Sequence, residues 1–328
     1  MRKPIICYNK TTMENTIMTV NPAKNSLIEL LRFVMAWSVL IFHGFMPVKT
    51  TILDMGVTCV SVDFFLMLGG FLFASSYAHM AEEKTGRGIW LFLSRRLRRL
   101  GLPFLISLLF AIYNAITLRH IGWLFGYLWF IPVEIIGQII LFLLARFVKN
   151  KHILIPILLS VAILGYFYFY ALPPDYVPYA QGGYNIYFSN LWSILGYPLR
   201  GIGGVFIGYC LTLLPQFKKI LVRYIIALSS FAIVLAVSFS PIFPFKEPLL
   251  LLLFATAIYS LFQIKFSSPV FNFLGATAFG LYIFQTLGST LRANGLASPE
   301  IVLLIIVAVS ILSAPVAFDE MFFKRNII

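Results

Sequence analysis

Ten apolar stretches, each close to the roughly twenty residues that a bilayer core requires, divide this sequence almost from end to end. They run at 27–47, 57–79, 100–118, 123–146, 152–171, 191–213, 221–240, 247–264, 270–289 and 300–322. In lipid, a stretch of this kind satisfies its backbone hydrogen bonds only as a helix. The sequence therefore predicts an all-α integral membrane protein, a bundle of about ten transmembrane helices. Composition agrees: soluble domains are about a quarter charged, whereas 11% of these 328 residues are charged and 60% are hydrophobic. The expected organisation is a polar N-terminal tail at 1–25, one membrane domain at 26–323 and a short C-terminal tail at 324–328. The boundary between the eighth and ninth spans is the least defined, with only a short linker around Lys265, Ser267, Ser268 and Pro269.

A net charge of +13 raises the question of nucleic acid, until the charges are placed. Almost all lie in short segments between spans, which follows the positive-inside rule rather than a basic face, and excludes nucleic acid. Segments on the N-terminal side hold 19 Lys and Arg against four (Lys49, Arg119, Lys246 and Arg292) on the other side. Both termini are therefore expected in the cytoplasm, an N-in/C-in arrangement with an even number of spans. Cys7, Cys59 and Cys210 are odd in number and far apart, so neither a disulfide framework nor a structural zinc site is expected.

The first span, SLIELLRFVMAWSVLIFHGFMP, carries Glu29, Arg32 and His43. Ionisable groups at membrane depth are costly and mark protein interiors or aqueous cavities. Arg32 and His43 are 11 residues apart, so on a helix they share one face, about 16 Å apart along the axis. A snorkelling arginine and a capping histidine account for the same pair. The second span contains Asp63, expected near the outer depth of His43; a carboxylate beside an imidazole fixes its tautomer for general base chemistry. A helix cap explains Asp63 equally. The run FLSRRLRRLGLPF before the third span suits a phosphorylated ligand or anionic lipid headgroups. Glu134 lies at mid-membrane in the fourth span, with Arg32 and Arg200 as candidate partners. Gly204 and Gly208 form a GxxxG packing motif in the sixth span, and Gly69 and Gly70 suit close helix approach in the second. The loop 172–190 has five Tyr or Phe and no Lys or Arg, fitting a sugar surface or an interfacial aromatic belt. No P-loop, HExxH, GxSxG or dinucleotide fingerprint is present, which leaves metal chemistry without support.

Taken together, these stretches resemble the membrane acyltransferase-3 family, whose members O-acylate bacterial surface polysaccharides and related exported glycans. The likeness rests on Arg32 and His43 within ELLRFVMAWSVLIFHG, and on a DxFFxxSGFL-like second span (Asp63, Phe65, Gly70 and Phe71). Arg95, Arg96, Arg99 and Pro103 follow the family's RRxxRxxxP run, while FIGYCL and AFGLYIFQ match stretches of the sixth and ninth spans. The sequence departs from the family at Gly69, usually Ser, and at Gln285, commonly His.

The resemblance implies transfer of an acyl group, usually acetyl, from cytoplasmic acyl-CoA (acetyl-CoA) to a hydroxyl of a surface polysaccharide or lipid-linked glycan. The setting implied is a multi-pass protein of the bacterial inner membrane. His43, Asp63 and Arg32 are the implied catalytic residues. Arg95, Arg96 and Arg99 would take the CoA phosphates, and Trp129, Glu134, Arg200, Tyr282 and Gln285 would contact substrate. A transporter or flippase of polysaccharide intermediates has the same spans and buried charges. An inactive scaffold or sensor is the third class, with Gln285 and Gly69 as its support.

Overall fold

The computed structural model describes residues 25–42, 57–81, 87–117, 129–170, 191–239 and 246–322. Those residues form eleven helices: α1 (Ser26–Phe42), α2 (Val57–Ala81), α3 (Arg87–Thr117), α4 (Phe130–Phe147), α5 (Lys151–Tyr170), α6 (Leu191–Thr212), α7 (Ile220–Phe239), α8 (Lys246–Phe262), α9 (Pro269–Ile283), α10 (Gln285–Ala293) and α11 (Pro299–Phe322). One isolated parallel bridge, Asn25 to Phe266, is the extended pairing among the described residues. The described part of each apolar stretch read from the sequence falls on a helix, and that of the ninth falls on the pair α9 and α10. Phe130–Phe147 and Lys151–Phe169 are long and apolar enough to cross a membrane, and the α9–α10 pair counts as a third candidate. Large apolar side chains such as Leu109, Ile116, Phe167 and Leu312 stay exposed on the outside of the bundle, as lipid-facing surface does in membrane proteins.

Contacts set the helix directions. Ser107 and Asn114 of α3 meet Ile283 and Thr290, an equal spacing that makes α3 parallel to α10. Ser26 meets Asn272 and Glu29 packs on Gly275, so α1 runs parallel to α9. Phe64 and Phe71 of α2 meet Phe254 and Phe262, placing α2 parallel to α8. The Phe71 end of α2 thus lies where Asn25 is anchored on Leu261, while Phe65 reaches Tyr282 far along α9. α1 and α2 are therefore antiparallel.

α2 is the hub, packing against α1, α3, α4, α6, α7 and α8. Its small residues allow this. A Cβ on Gly70 would strike the carbonyl of Val205, and one on Gly208 would strike that of Met67, so α2 and α6 touch backbone to backbone. The glycine packing role read from the sequence holds at both positions. Three apolar cores surround α2: Phe64 and Met67 against α8, Leu40 and Ala36 with Tyr282 and Ile306, and Leu66 and Phe73 with Leu158 and Phe206.

Two boundaries differ from the sequence reading. α3 starts at Arg87, so the arginine run and Pro103 lie inside a helix rather than before one. The ninth span is broken: α9 and α10 meet at a 42° bend. There the carbonyl of Ile283 accepts the Ser107 hydroxyl at 2.8 Å, an inserted side chain of the kind that kinks helices. The linker between the eighth and ninth spans is well tied. The Ser26 hydroxyl accepts from the Ser268 amide at 2.7 Å and donates to Asn272 at 2.8 Å, while Ser268 caps α9.

Candidate functional site

Asp63 is fully buried on α2, and the fold delivers Arg200 of α6 to it. The Arg200 Nε donates to Oδ1 at 2.9 Å and its Nη2 donates to Oδ2. Tyr166 of α5 donates its hydroxyl to the same Oδ1 at 2.9 Å. The guanidinium lies 4.5 Å from the ring centre of Phe169, a cation–π contact. Phe169 meets Tyr197 edge-on at 5.3 Å, and Tyr197 meets Trp129 at 4.8 Å. One connected group thus joins α2, α4, α5 and α6 near the start of α2. A forked arginine–carboxylate pair is among the more directional contacts available to side chains.

The sequence offered Asp63 to His43 and Arg200 to Glu134; the structure gives Asp63 and Arg200 to each other. α2 and α6 cross backbone to backbone at Gly70 and Gly208, and the Asp63–Arg200 fork joins them one to two turns before that crossing in each helix. A carboxylate has about four acceptor positions, and three on Asp63 are taken. One further donor is the most it accepts. His43 lies outside the described residues, as do the side chains of Arg95, Arg96 and Arg99, whose backbone is helical.

Glu134 is buried between α4 and α2, 5% exposed, and accepts from Gln138 Nε2 at 3.0 Å. That nitrogen also donates to the Gly69 carbonyl at 3.2 Å. The Glu134 carboxylate occupies the space a Cβ on Gly69 would fill, so the missing serine and the buried acid are a matched pair. Arg32 forms its ion pair with Glu29, one turn away, at 2.7 Å. The pair is partly exposed and lies at the opposite end of the bundle from Asp63, because Glu29 sits on Gly275 early in α9.

Tyr282 packs edge-on against Phe65 at 5.9 Å and Phe130 at 4.2 Å. Three residues further, Gln285 opens α10 and is fully buried, and neither its Nε2 nor its Oε1 has a partner. Asn114 on the facing α3 donates to Thr290 at 2.8 Å while its Oδ1 stays unpartnered. Sequence reading missed Tyr166, Phe169, Asn114 and Gln138. Tyr166 and Phe169 sit in the aromatic run GYFYFY, where nothing marks one ring from the next. Asn114 and Gln138 were detectable as lone amides within otherwise apolar spans.

Among the described residues, no group of three or more His, Cys, Asp or Glu is placed to hold a metal. A family model described as an acyltransferase domain matches residues 25–319, which takes in nearly the whole of the bundle above. No curated protein and no solved structure matches the chain.

Proposed function

The chain belongs to the acyltransferase-3 family of membrane proteins, and we propose that it carries an acyl group, acetyl by preference, from cytoplasmic acyl-CoA to a hydroxyl of an extracytoplasmic glycan. The proposed setting is the bacterial inner membrane, with ten spans and both termini cytoplasmic. The observation that supports this reading is that one bundle, matched over 25–319, keeps ionisable pairs at both of its ends. Glu29 and Arg32 lie at one end, Asp63 and Arg200 at the other. Buried charge is kept in membranes where it is used.

In this reading Arg95, Arg96 and Arg99 hold the CoA phosphates at the inner end, and Arg32 guides the donor. Trp129, Glu134, Arg200, Tyr282 and Gln285 border the substrates. His43 takes the proton of the acceptor hydroxyl as its oxygen attacks the thioester carbonyl carbon. The carbon–sulfur bond then breaks and CoA leaves as the thiolate, which the proton finally neutralises. Asp63 has one acceptor position left with which to steady the imidazolium. A glutamine at this position keeps size and hydrogen bonding but is no base. His43→Gln is therefore expected to insert normally and to lose at least about 10²-fold in acyl transfer, measured on purified protein at saturating acetyl-CoA. Wild-type turnover by this variant would remove His43 from the reaction.

A second reading, a transporter or flippase of polysaccharide intermediates, draws on the break between α9 and α10, since interrupted spans line transport sites. Acyl-CoA-dependent labelling of a glycan separates the two.

A further inference from the structure

On the reading in which Asp63 steadies His43, we propose that Tyr166 is a positioning residue for acyl transfer. Its hydroxyl closes one oxygen of Asp63 and so fixes the direction from which that carboxylate can hold the base. The Tyr166 bond is one that the ion pair does not need. The Arg200 fork already balances the charge of Asp63 and engages both of its oxygens, through Nε on Oδ1 at 2.9 Å and through Nη2 on Oδ2. Tyr166 adds a third bond, to Oδ1 at 2.9 Å.

That third bond decides which oxygen stays open. Each carboxylate oxygen accepts about two hydrogen bonds. With Arg200 alone, Oδ1 and Oδ2 would each keep one position, and a partner could approach either. Tyr166 fills Oδ1, so the remaining position lies on Oδ2. Asp63 is fully buried, so the donor that completes it comes from the protein or a bound substrate rather than from bulk water. An imidazole N–H bonded there is held in one tautomer and one orientation, with its other nitrogen left to take a proton.

Three glycines seat the Tyr166 ring. A Cβ on Gly165 would strike the Leu199 carbonyl, so α5 and α6 touch one residue before Tyr166 on the first helix and one residue before Arg200 on the second. Gly203 in turn faces Ala162, which makes the two helices antiparallel. An aromatic side chain on a helix leans back toward the start of that helix, and this lean carries the ring over Gly203 and the hydroxyl over Gly204. A Cβ on Gly203 would lie 3.4 Å from Tyr166 Cδ2, and one on Gly204 would lie 3.2 Å from the Tyr166 hydroxyl oxygen. Gly204, read from the sequence as part of a packing motif, thus also leaves the space through which the hydroxyl reaches Asp63. Phenylalanine at position 166 would keep the seated ring and remove the third bond alone.

The test measures acetyl transfer from acetyl-CoA by purified full-length protein in lipid vesicles. The acceptor is surface polysaccharide of the producing cells, stripped of its ester groups by mild alkali. Tyr166→Phe is expected to lower kcat about tenfold, the lower end of what a hydrogen bond to a charged group is worth, and to leave the KM for acetyl-CoA unchanged. The same substitution is then made beside His43→Gln. His43→Gln and the double variant are expected to turn over equally, because a residue that acts through the base has nothing left to position. A merely structural hydroxyl would cost the same factor in both backgrounds, so a tenfold loss that persists beside His43→Gln would overturn the positioning role. Wild-type kcat in Tyr166→Phe would overturn it too, while a defect in His43→Gln would leave the reading of the base intact. Wild-type protein that transfers no acetyl group, or full turnover by His43→Gln, would refute that reading and the positioning role with it.

Discussion

Replacing Asp63 by asparagine tests the buried ion pair that joins α2 to α6. The Asp63 side chain is fully buried and that of Arg200 is 9% exposed. The replacement nearly conserves shape, and its Oδ1 still accepts from Arg200 Nε and Tyr166. The new amide nitrogen, however, meets Arg200 Nη2 donor to donor, and the guanidinium loses its counter-charge. Unit charges at 4 Å attract by about 4 kcal/mol at an effective dielectric of about 20. Removing one partner of a buried pair costs about 3–5 kcal/mol in practice. Asp63→Asn is therefore expected to lose about 3–4 kcal/mol, read from reversible unfolding in mixed detergent micelles. Glu29→Gln, which breaks the partly exposed pair with Arg32, should lose under about 1 kcal/mol. Adding Arg200→Gln to Asp63→Asn should recover about 2 kcal/mol against the sum of the single losses, since the two residues act as one unit. An Asp63→Asn variant no less stable than Glu29→Gln, or strict additivity with Arg200→Gln, would refute the assigned pair.

Gly69→Ser, which restores the residue common in the family, is expected to destabilise by about 1–3 kcal/mol, because the new Cβ meets the Glu134 carboxylate. Adding Glu134→Ala should recover most of that loss in the same unfolding assay. Arg99→Ala should raise the KM for acyl-CoA while leaving protein level and insertion unchanged, if the arginine run binds CoA phosphates. An unchanged KM in single and combined Arg95, Arg96 and Arg99 variants would assign the run to lipid headgroups.

The helices were legible because apolar length is a strong signal, and it survives even where neighbours differ. Boundaries were less so. The run FLSRRLRRLGLPF reads as a loop by charge, yet arginine is a good helix former, and α3 continues straight through it. At the break in the ninth span the Ile283 carbonyl accepts from Thr286 nearby and from Ser107, which lies 176 residues away in sequence. Tertiary hydrogen bonds of that kind have no local signature.

For the site, residue types were legible and partners were not. Arg32, Asp63, Glu134 and Arg200 stood out because charge is rare in these spans, but charge alone does not say which cation meets which anion. That choice was made by glycines. Gly70 and Gly208 let α2 and α6 touch, which sets Asp63 against Arg200; Gly69 leaves room for Glu134, which turns to Gln138. The same bundle then divides its polar interior by kind. The charged group lies on the α5–α6 side of α2, whereas the buried polar groups between α3 and α10 are neutral amides and hydroxyls. Phe65, Tyr282 and Phe130 stand between them. An anionic ligand gains nothing along the neutral side, and an uncharged chain gains little beside a fork already closed on itself.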